Sequence, residues 1–136
     1  NKIWNAGRFV FLKVQEKNEE TFLSKKERGK IKSFKNKVLK DLKKHFLLLE
    51  RKLEDLDFGS AAEIVYRFFW HRFCDLYLEK YKKLAQIKEN KEFLLNIFKK
   101  ILVFLHPFLP FITEALYQKL PLSKKDSIAL EDWPNF

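Results

Sequence analysis

The side chains that most often catalyse reactions or bind metals are few and scattered in this sequence of 136 residues. Of the three histidines, only His71 lies near the single cysteine, Cys74, three positions away on a predicted helix. A structural zinc site commonly takes four ligands from two such pairs, and no second pair is present. Cys74 stands in an aromatic and aliphatic run, which favours a buried, inert thiol over an activated nucleophile. We therefore expect both side chains to pack within the fold without a metal.

Phosphate-binding glycine loops are also missing from the sequence. The chain has only three glycines and contains neither GxGxxG nor GxxxxGK[ST]. Aspartate and glutamate are plentiful, but they alternate with lysines on predicted helix surfaces and form no inward-facing pair. We expect no catalytic residue and no cofactor in this chain, which would then act by binding a partner.

The strongest chemical signal is a run of positive charge, which we call the basic stripe. Between positions 25 and 44, ten basic residues stand against two acidic ones, a net +8 of the chain's formal +10. The residues expected to contact a polyanion backbone are Lys25, Lys26, Arg28, Lys30, Lys32, Lys35, Lys37 and Lys40, and Lys43 and Lys44 continue the run. Concentrated positive charge attracts polyanions and gains free energy when their counterions are released. The alternative is a solvated helix face, and the stripe alone does not identify the polyanion.

Helices must position these side chains. Three glycines and four prolines are too few for the turns of a many-stranded sheet, whereas apolar residues recur at steps of three and four. With 46% hydrophobic and 16% aromatic residues, the chain has ample material for a core. We predict an all-α fold, a helical bundle of about five helices with an irregular C-terminal tail, forming a single domain over residues 1–136.

The spacing of apolar residues predicts the span of each helix. A capping box of Ser60 and Glu63 is expected to open the third helix, and Pro110 the fifth. In the third helix we expect Phe69, Trp70 and Leu76 to belong to the core. The predicted spans are about 3–16, 31–56, 60–84, 90–107 and 110–120, with 127–130 as an extended stretch of the tail.

The ends and the cysteine content indicate the setting. The chain begins without methionine on a predicted helix, so we expect a fragment of a larger protein. Its first residues do not form a signal peptide, and no stretch approaches the roughly 20 apolar residues of a membrane span. A single cysteine fits a reducing compartment. We expect a cytoplasmic, monomeric protein that does not bind membranes.

Several strings along the whole chain are similar to one family, in the same order and at its typical separations. They are Asn1–Val10, Asp57–Ala62, Phe73–Glu79, Leu105–Glu114 and Ser127–Pro134. The chain resembles the anticodon-binding domain of class I aminoacyl-tRNA synthetases of the valine, isoleucine and leucine group. The strings at 73–75 and 106–107 are most similar to those of the valyl-tRNA synthetases.

The resemblance implies a tRNA partner and a parent enzyme that joins valine to its tRNA using ATP and Mg²⁺. The nucleotide-binding motifs of that enzyme are not in this chain. The domain would contact unstacked anticodon bases on their exposed edges. The candidate anticodon-contacting residues, all on the first helix, are Lys2, Trp4, Asn5, Arg8 and Phe9. For Trp4 the alternative is packing within the bundle, and for Arg8 a structural ion pair or hydrogen bond.

The sequence departs from the resembled family near the start of the second helix. Relatives typically have Leu-Ala-Asp-Arg-Trp there, whereas this chain has Ser33-Phe34-Lys35-Asn36-Lys37. An aromatic residue is replaced and lysine is added. We therefore do not assign to this chain the contacts that relatives make through that Arg or Trp.

Other functions remain compatible with the charge. One is the corresponding domain of an isoleucyl or leucyl enzyme. Another is a helical module of a different kind that binds nucleic acid or an anionic membrane surface. A lipid-binding helix presents an uncovered apolar face opposite its lysines, whereas here helices of similar length are available to cover that face.

Overall fold

The computed structural model describes residues 1–122 and 124–134, and these ranges contain helices and no strand. The predicted all-α class is confirmed. The α-helices are α1 (Lys2–Gln15), α2 (Lys25–Glu54), α3 (Phe58–Arg67), α4 (Glu79–Tyr81), α5 (Lys88–Leu105) and α6 (Pro110–Gln118). A π-helical segment, Phe68–Leu78, joins α3 to α4 without a break. These three elements therefore form one helix, and the predicted number of about five is confirmed.

The chain divides into two compact units. The first unit contains residues 1–19 and the chain from Gln86 onward, with α1, α5 and α6. The second unit is Glu20–Ala85, with α2 and the long helix that runs from α3 to α4. The single domain over residues 1–136 stays a prediction.

In the second unit, α2 begins at a capping box that was not predicted from the sequence. Ser24 Oγ accepts a hydrogen bond from the Glu27 N–H at 3.1 Å, and Glu27 Oε1 accepts one from the Ser24 N–H at 3.3 Å. These two bonds satisfy amides that the first helical turn leaves without partners. The helix therefore starts at Lys25, ahead of the predicted start near residue 31, and carries the whole basic stripe.

The end of α2 is a Schellman turn with leucine at the position where glycine is usual. The Asp57 N–H donates to the Lys52 carbonyl at 2.9 Å, and the Leu56 N–H donates to the Leu53 carbonyl at 3.0 Å. Leu56 has a φ of 56°, in the left-handed region, and its side chain is 72% exposed. A residue with a β-carbon is strained there, because the β-carbon approaches the following carbonyl oxygen.

The predicted capping box of Ser60 and Glu63 is wrong. The N-cap of α3 is Asp57, whose Oδ1 accepts a hydrogen bond from the Ser60 N–H at 3.2 Å. Asp57 directly follows the left-handed residue of the Schellman turn, and its side chain caps the next helix. The N-cap therefore lies three residues before the predicted one, and Ser60 lies inside the first turn. Hydrogen bonds from Ser60 hold the pKa of Asp57 below its usual value.

The π-helical segment explains a second error in the predicted core. Leu76 is 41% exposed, whereas Leu78, five residues after the buried Phe73, is only 7% exposed. A π-helix has i→i+5 hydrogen bonds and a wider turn than an α-helix. A prediction at the α-helical period therefore chooses the wrong face here. Phe69 is fully buried as predicted, and Trp70 is half-buried in ring contacts with Tyr66 and Phe69.

In the first unit, α1 packs closely on the two helices that follow. A β-carbon at Gly7 would lie 2.7 Å from Leu116 Cδ2 on α6 and 3.3 Å from Phe98 Cζ on α5. The lack of a side chain at Gly7 therefore lets α1 approach both. Pro110 opens α6 in its first turn as predicted, because the missing N–H needs no partner there.

The tail is fixed by polar contacts, and its predicted extended stretch is wrong. Residues 128–130 form a 3₁₀ turn, since Ser127 caps the Ala129 N–H at 3.2 Å and the Ile128 N–H donates to Glu114 Oε2 at 2.8 Å. The Tyr117 hydroxyl donates to Glu131 at 2.5 Å. The irregular tail was predicted from residue 121 to the end, and Ser123, Asn135 and Phe136 lie outside the described residues.

Candidate nucleic-acid interface

The basic stripe lies on the solvent side of α2. Nine of its ten basic side chains are exposed, and Lys35 is half-buried. In residues 1–122 and 124–134, none of those nine forms an ion pair with a carboxylate. Their charges are therefore available to an anion from solvent.

The two acidic residues within the stripe are engaged elsewhere. Glu27 belongs to the capping box of α2. Asp41 lies 3.3 Å from Arg72 Nε and 3.3 Å from His45 Nδ1, and it accepts a hydrogen bond from the Tyr77 hydroxyl. Burial and this hydrogen bond raise the pKa of the Tyr77 hydroxyl, which keeps it a donor. Asp41 thus joins α2 to the π-helical segment, and neither acid pairs with the nine exposed basic side chains.

An open furrow of about 370 Å³ follows one side of the stripe. Its lining repeats at helical steps of three and four and consists of Gly29, Lys32, Ser33, Asn36, Lys37 and Lys40. Apart from the backbone of α2 itself and the chain neighbours, no atom lies within 4 Å of the place where a β-carbon at Gly29 would stand, so the furrow is open there. It includes most of the string that departs from the resembled family. The furrow offers ammonium groups, a hydroxyl and an amide, and no aromatic ring.

The apolar face of α2 is buried, and α3 packs on α2. Val38, Leu42, Phe46 and Leu49 are each at most 2% exposed. Burial of each such side chain contributes about 1.5–3 kcal/mol to the stability of the folded state. An amphipathic helix that inserts into lipid needs this face uncovered. The expectation that neighbouring helices cover it is confirmed.

In the first unit, α1 and α6 form a groove of about 290 Å³, which we call the α1 groove. Trp4 is 41% exposed, and Lys119 Nζ lies 5.6 Å from the centre of its ring. Arg8 is exposed and has no ion pair or side-chain hydrogen bond to any described residue. The complete lining is Trp4, Arg8, Phe11, Leu12, Gln15, Leu116 and Lys119. The groove thus combines an aromatic ring and two cations on an apolar floor.

The groove contains two of the five candidate residues of the first helix. Lys2, Asn5 and Phe9 do not line it; Asn5 is exposed, and Lys2 and Phe9 are half-buried. Leu12 and Gln15 also line the groove but were not predicted, although they stand four and seven residues after Arg8 and that spacing indicates a shared face. Lys119 could not have been found, because only the packing of α6 on α1 brings it to Trp4.

The residues first considered for metal chemistry are placed differently from the prediction. His71 is exposed, with Nδ1 3.5 Å from Asp75 Oδ2, and Cys74 is half-buried and not fully enclosed. The π-helical turn rotates this stretch away from the face expected at the α-helical period. Across the described ranges, no helix is both long enough and apolar enough to cross a membrane.

Comparison with known proteins identifies the protein family to which this helical chain belongs. Residues 35–136 match the model of the anticodon-binding domain of tRNA ligases. Since this range is about three quarters of the chain, the chain belongs to that family. The match starts inside the basic stripe, so α1 lies outside it.

The similar individual proteins are valine–tRNA ligases, and their alignments with this chain also cover α1. The ligase of Thermotoga maritima is 36% identical over 137 residues, which cover 98% of this chain and 15% of that protein. The ligase of Pseudothermotoga lettingae is 38% identical over 98% of this chain, and that of Petrotoga mobilis is 36% identical over all of it. This chain spans only about 15% of the length of these relatives. The resemblance to valyl enzymes stated from the sequence is confirmed.

Proposed function

We propose that this chain binds the anticodon stem-loop of a valine tRNA, as the anticodon-binding domain of a valine–tRNA ligase. The observation that carries the proposal is the match to valine–tRNA ligases over nearly the whole chain. The parent enzyme would attach valine to this tRNA using ATP and Mg²⁺, through parts of the protein outside this chain. The domain itself would act as a monomer and without a cofactor, in the cytoplasm, where the tRNA is used.

The basic stripe would contact the phosphate backbone. Exposed lysines without carboxylate partners gain most from an incoming phosphate, because no existing ion pair must be broken. For single-stranded nucleic acid, each neutralised phosphate contributes about −0.7 to the slope of log K against log salt concentration. The furrow from Gly29 to Lys40 is long enough to follow successive phosphates and adds hydroxyl and amide donors from Ser33 and Asn36.

The α1 groove would receive an anticodon base. Trp4 offers a partly exposed face on which a base can stack, a contact worth about 1–3 kcal/mol per base. The Arg8 guanidinium has its donors available, and it lines the same groove. A planar guanidinium donates to base edges in a fixed geometry that an ammonium cannot reproduce. Lys2, Asn5 and Phe9 remain candidates for contacts outside the groove.

Valine specificity follows from base pairing. Valine codons are GUN, so every valine anticodon ends in A and then C. These two bases would enter the site, and the first anticodon base would matter little. Changing the final C to U produces an isoleucine-type anticodon, removes an amine donor and supplies a carbonyl acceptor. It also turns the ring N3 from an acceptor into an N–H donor, to which the donor-only guanidinium of Arg8 cannot pair. A protein group left unpaired by that change costs about 1–3 kcal/mol, or roughly 5–150-fold in affinity.

The test is a competition between two stem-loops that differ only in the last anticodon base, at ~150 mM salt, where charge alone binds weakly. We expect preference for C, and we expect the variant Arg8→Gln to lose much of it while still binding RNA. Discrimination below about twofold would leave a nonspecific basic bundle as the better account. Preference for U would instead indicate an isoleucine enzyme.

A further inference from the structure

The most exposed aromatic residue of the second unit lies beside the start of the basic stripe. Phe22, in the connection between α1 and α2, is 89% exposed. The Arg28 guanidinium carbon lies 5.7 Å from the centre of its ring. A phenyl ring in water loses the free energy that burial would supply. The exposed ring of Phe22, with the Arg28 guanidinium of the basic stripe over it, suits a ligand that has both an aromatic face and a negative charge.

The backbone next to Phe22 is held in place. Leu23 is half-buried, and Ser24 exchanges two hydrogen bonds with Glu27 in the capping box of α2. Phe22 therefore stands at a fixed distance from the first turn of the helix. Lys25 and Lys26 are exposed there and have no ion-pair partner among the described residues.

We propose that Phe22 and Arg28 form a stacking platform for one unpaired nucleobase of the RNA that lies along the basic stripe. The cation covers one face of the ring, and the 89% exposure leaves the opposite face open to a base. Lys25 and Lys26 would neutralise the phosphates on either side of that nucleotide. This inference rests on the proposed function, and it adds a base contact in a unit whose furrow has no aromatic ring of its own.

The chemistry favours a nucleobase over an apolar partner. A single ring with the Arg28 cation over it, close in sequence to the exposed Lys25 and Lys26, is too small and too polar a surface for a protein or lipid to cover without burying charge. A base stacks on one face of the ring and brings its own phosphate to the neighbouring lysines. Every base has a π face, so this contact would be tolerant of base identity.

The experiment compares Phe22→Ala with a matched control, Phe111→Ala. Phe111 is 90% exposed and lies in α6 of the first unit, so both substitutions remove an exposed ring of the same size. Each variant is titrated with the valine anticodon stem-loop and with a fully paired RNA duplex that carries the same number of phosphates. In the duplex no base is free to stack on a side chain.

We expect Phe22→Ala to bind the stem-loop about 5- to 150-fold more weakly than the wild type. Its affinity for the duplex and the salt dependence of its binding should be unchanged, because no charge is lost. Phe22→Trp, which restores an aromatic face, should recover stem-loop binding. Phe111→Ala should match the wild type with both RNAs.

Two results would overturn the platform. One is a Phe22→Ala protein that binds the stem-loop as tightly as Phe111→Ala does. The other is equal weakening toward both RNAs, which would mean a general effect on the stripe. Failure of the proposed function gives a different result. The wild type would then bind stem-loops whose anticodons end in C and in U equally well, regardless of the effect of Phe22→Ala.

Discussion

The basic stripe and the α1 groove both present positive charge, yet they are built in opposite ways. The stripe lies on one helix, and its exposed lysines have no carboxylate partner in the described part of the chain. The groove exists only because α1 and α6 come together at Gly7, and its cations stand over an aromatic and apolar floor. Charge attraction needs only exposure, whereas a shaped contact needs packing. The stripe should therefore respond to changes in charge, and the groove to changes in volume.

The largest expected effect is loss of RNA affinity when the stripe reverses its charge. In the variant Lys37→Glu with Lys40→Glu, two furrow lysines become acidic, and we expect about 100-fold weaker stem-loop binding at low salt. The slope of log K against log salt concentration should become less steep by roughly 1.4, at about 0.7 for each lost phosphate contact. Fluorescence anisotropy over a salt series measures both quantities.

The matched control for this variant is Lys80→Glu with Lys83→Glu. Both lysines are exposed, lie in the second unit outside the stripe, and change the net charge by the same amount. Equal losses in the two variants would show that net charge alone matters and that the stripe has no special role. Circular dichroism should give the same helicity for both.

The next largest effect is on stability. The same substitution, glycine to valine, should have different effects in the α1 groove and in the basic stripe. Gly7→Val places methyl groups where Leu116 and Phe98 already stand, and we expect a loss of about 2 kcal/mol in the free energy of unfolding. Gly29→Val adds the same groups where nothing lies within 4 Å, and we expect a change within about 0.5 kcal/mol. Urea unfolding measures both. Equal stability of the two variants would contradict the close approach of α1 to α5 and α6.

Much of the fold could be predicted from the sequence because its signals are local. The period of apolar residues in α2 places Val38, Leu42, Phe46 and Leu49 on one face, and the structure buries them. Two errors have different causes, a change of helical period in one and an earlier helix start in the other. Leu76 is exposed because the segment is π-helical, and Ser60 is not the N-cap because Asp57 takes that place first.

The candidate site could be predicted only where one helix supplies it. The basic stripe is contiguous in sequence, so its position on the surface follows once α2 is recognised. The α1 groove is shared between helices more than a hundred residues apart, as the contact of Lys119 with Trp4 shows. Sequence spacing within α1 predicts that Trp4 and Phe11 share a face, but not which cation α6 brings to them.

A smaller effect comes from the polar contacts that fix the tail in the first unit. Burial alone would raise the pKa of Glu131, but hydrogen bonds from Tyr117 and Lys99 outweigh it and hold the pKa below the usual 4.5. A lowered folded pKa means that this stabilisation is present above pH 4.5 and is lost as the pH falls through the folded value. Glu131→Gln should therefore cost about 1.5 kcal/mol near pH 7 and progressively less in acid.

The control for Glu131→Gln is Asp132→Asn, one residue further on. Its side chain is 96% exposed and pairs with Lys125 only at 3.5 Å, so its loss should be small at every pH. Urea unfolding at a series of pH values gives both differences. A Glu131→Gln deficit that persists unchanged at pH 3 would show that the carboxylate charge is not what holds the tail.

The smallest expected effect lies at the end of α2, where local strain is set against helix propensity. Leu56 occupies a left-handed conformation with its side chain in solvent, so glycine relieves the strain without opening a cavity. We expect Leu56→Gly to raise the free energy of unfolding by about 0.5 kcal/mol, since the flexibility that glycine adds to the unfolded chain offsets part of the gain. The same change at Leu47, which is 52% exposed within α2, should lower the free energy of unfolding by about 1 kcal/mol, because glycine is a poor helix former.

The midpoint temperatures of thermal unfolding of the two variants should therefore shift in opposite directions. A decrease for both would mean that the Schellman turn does not require the left-handed residue, and the early start of α3 at Phe58 would need another cause.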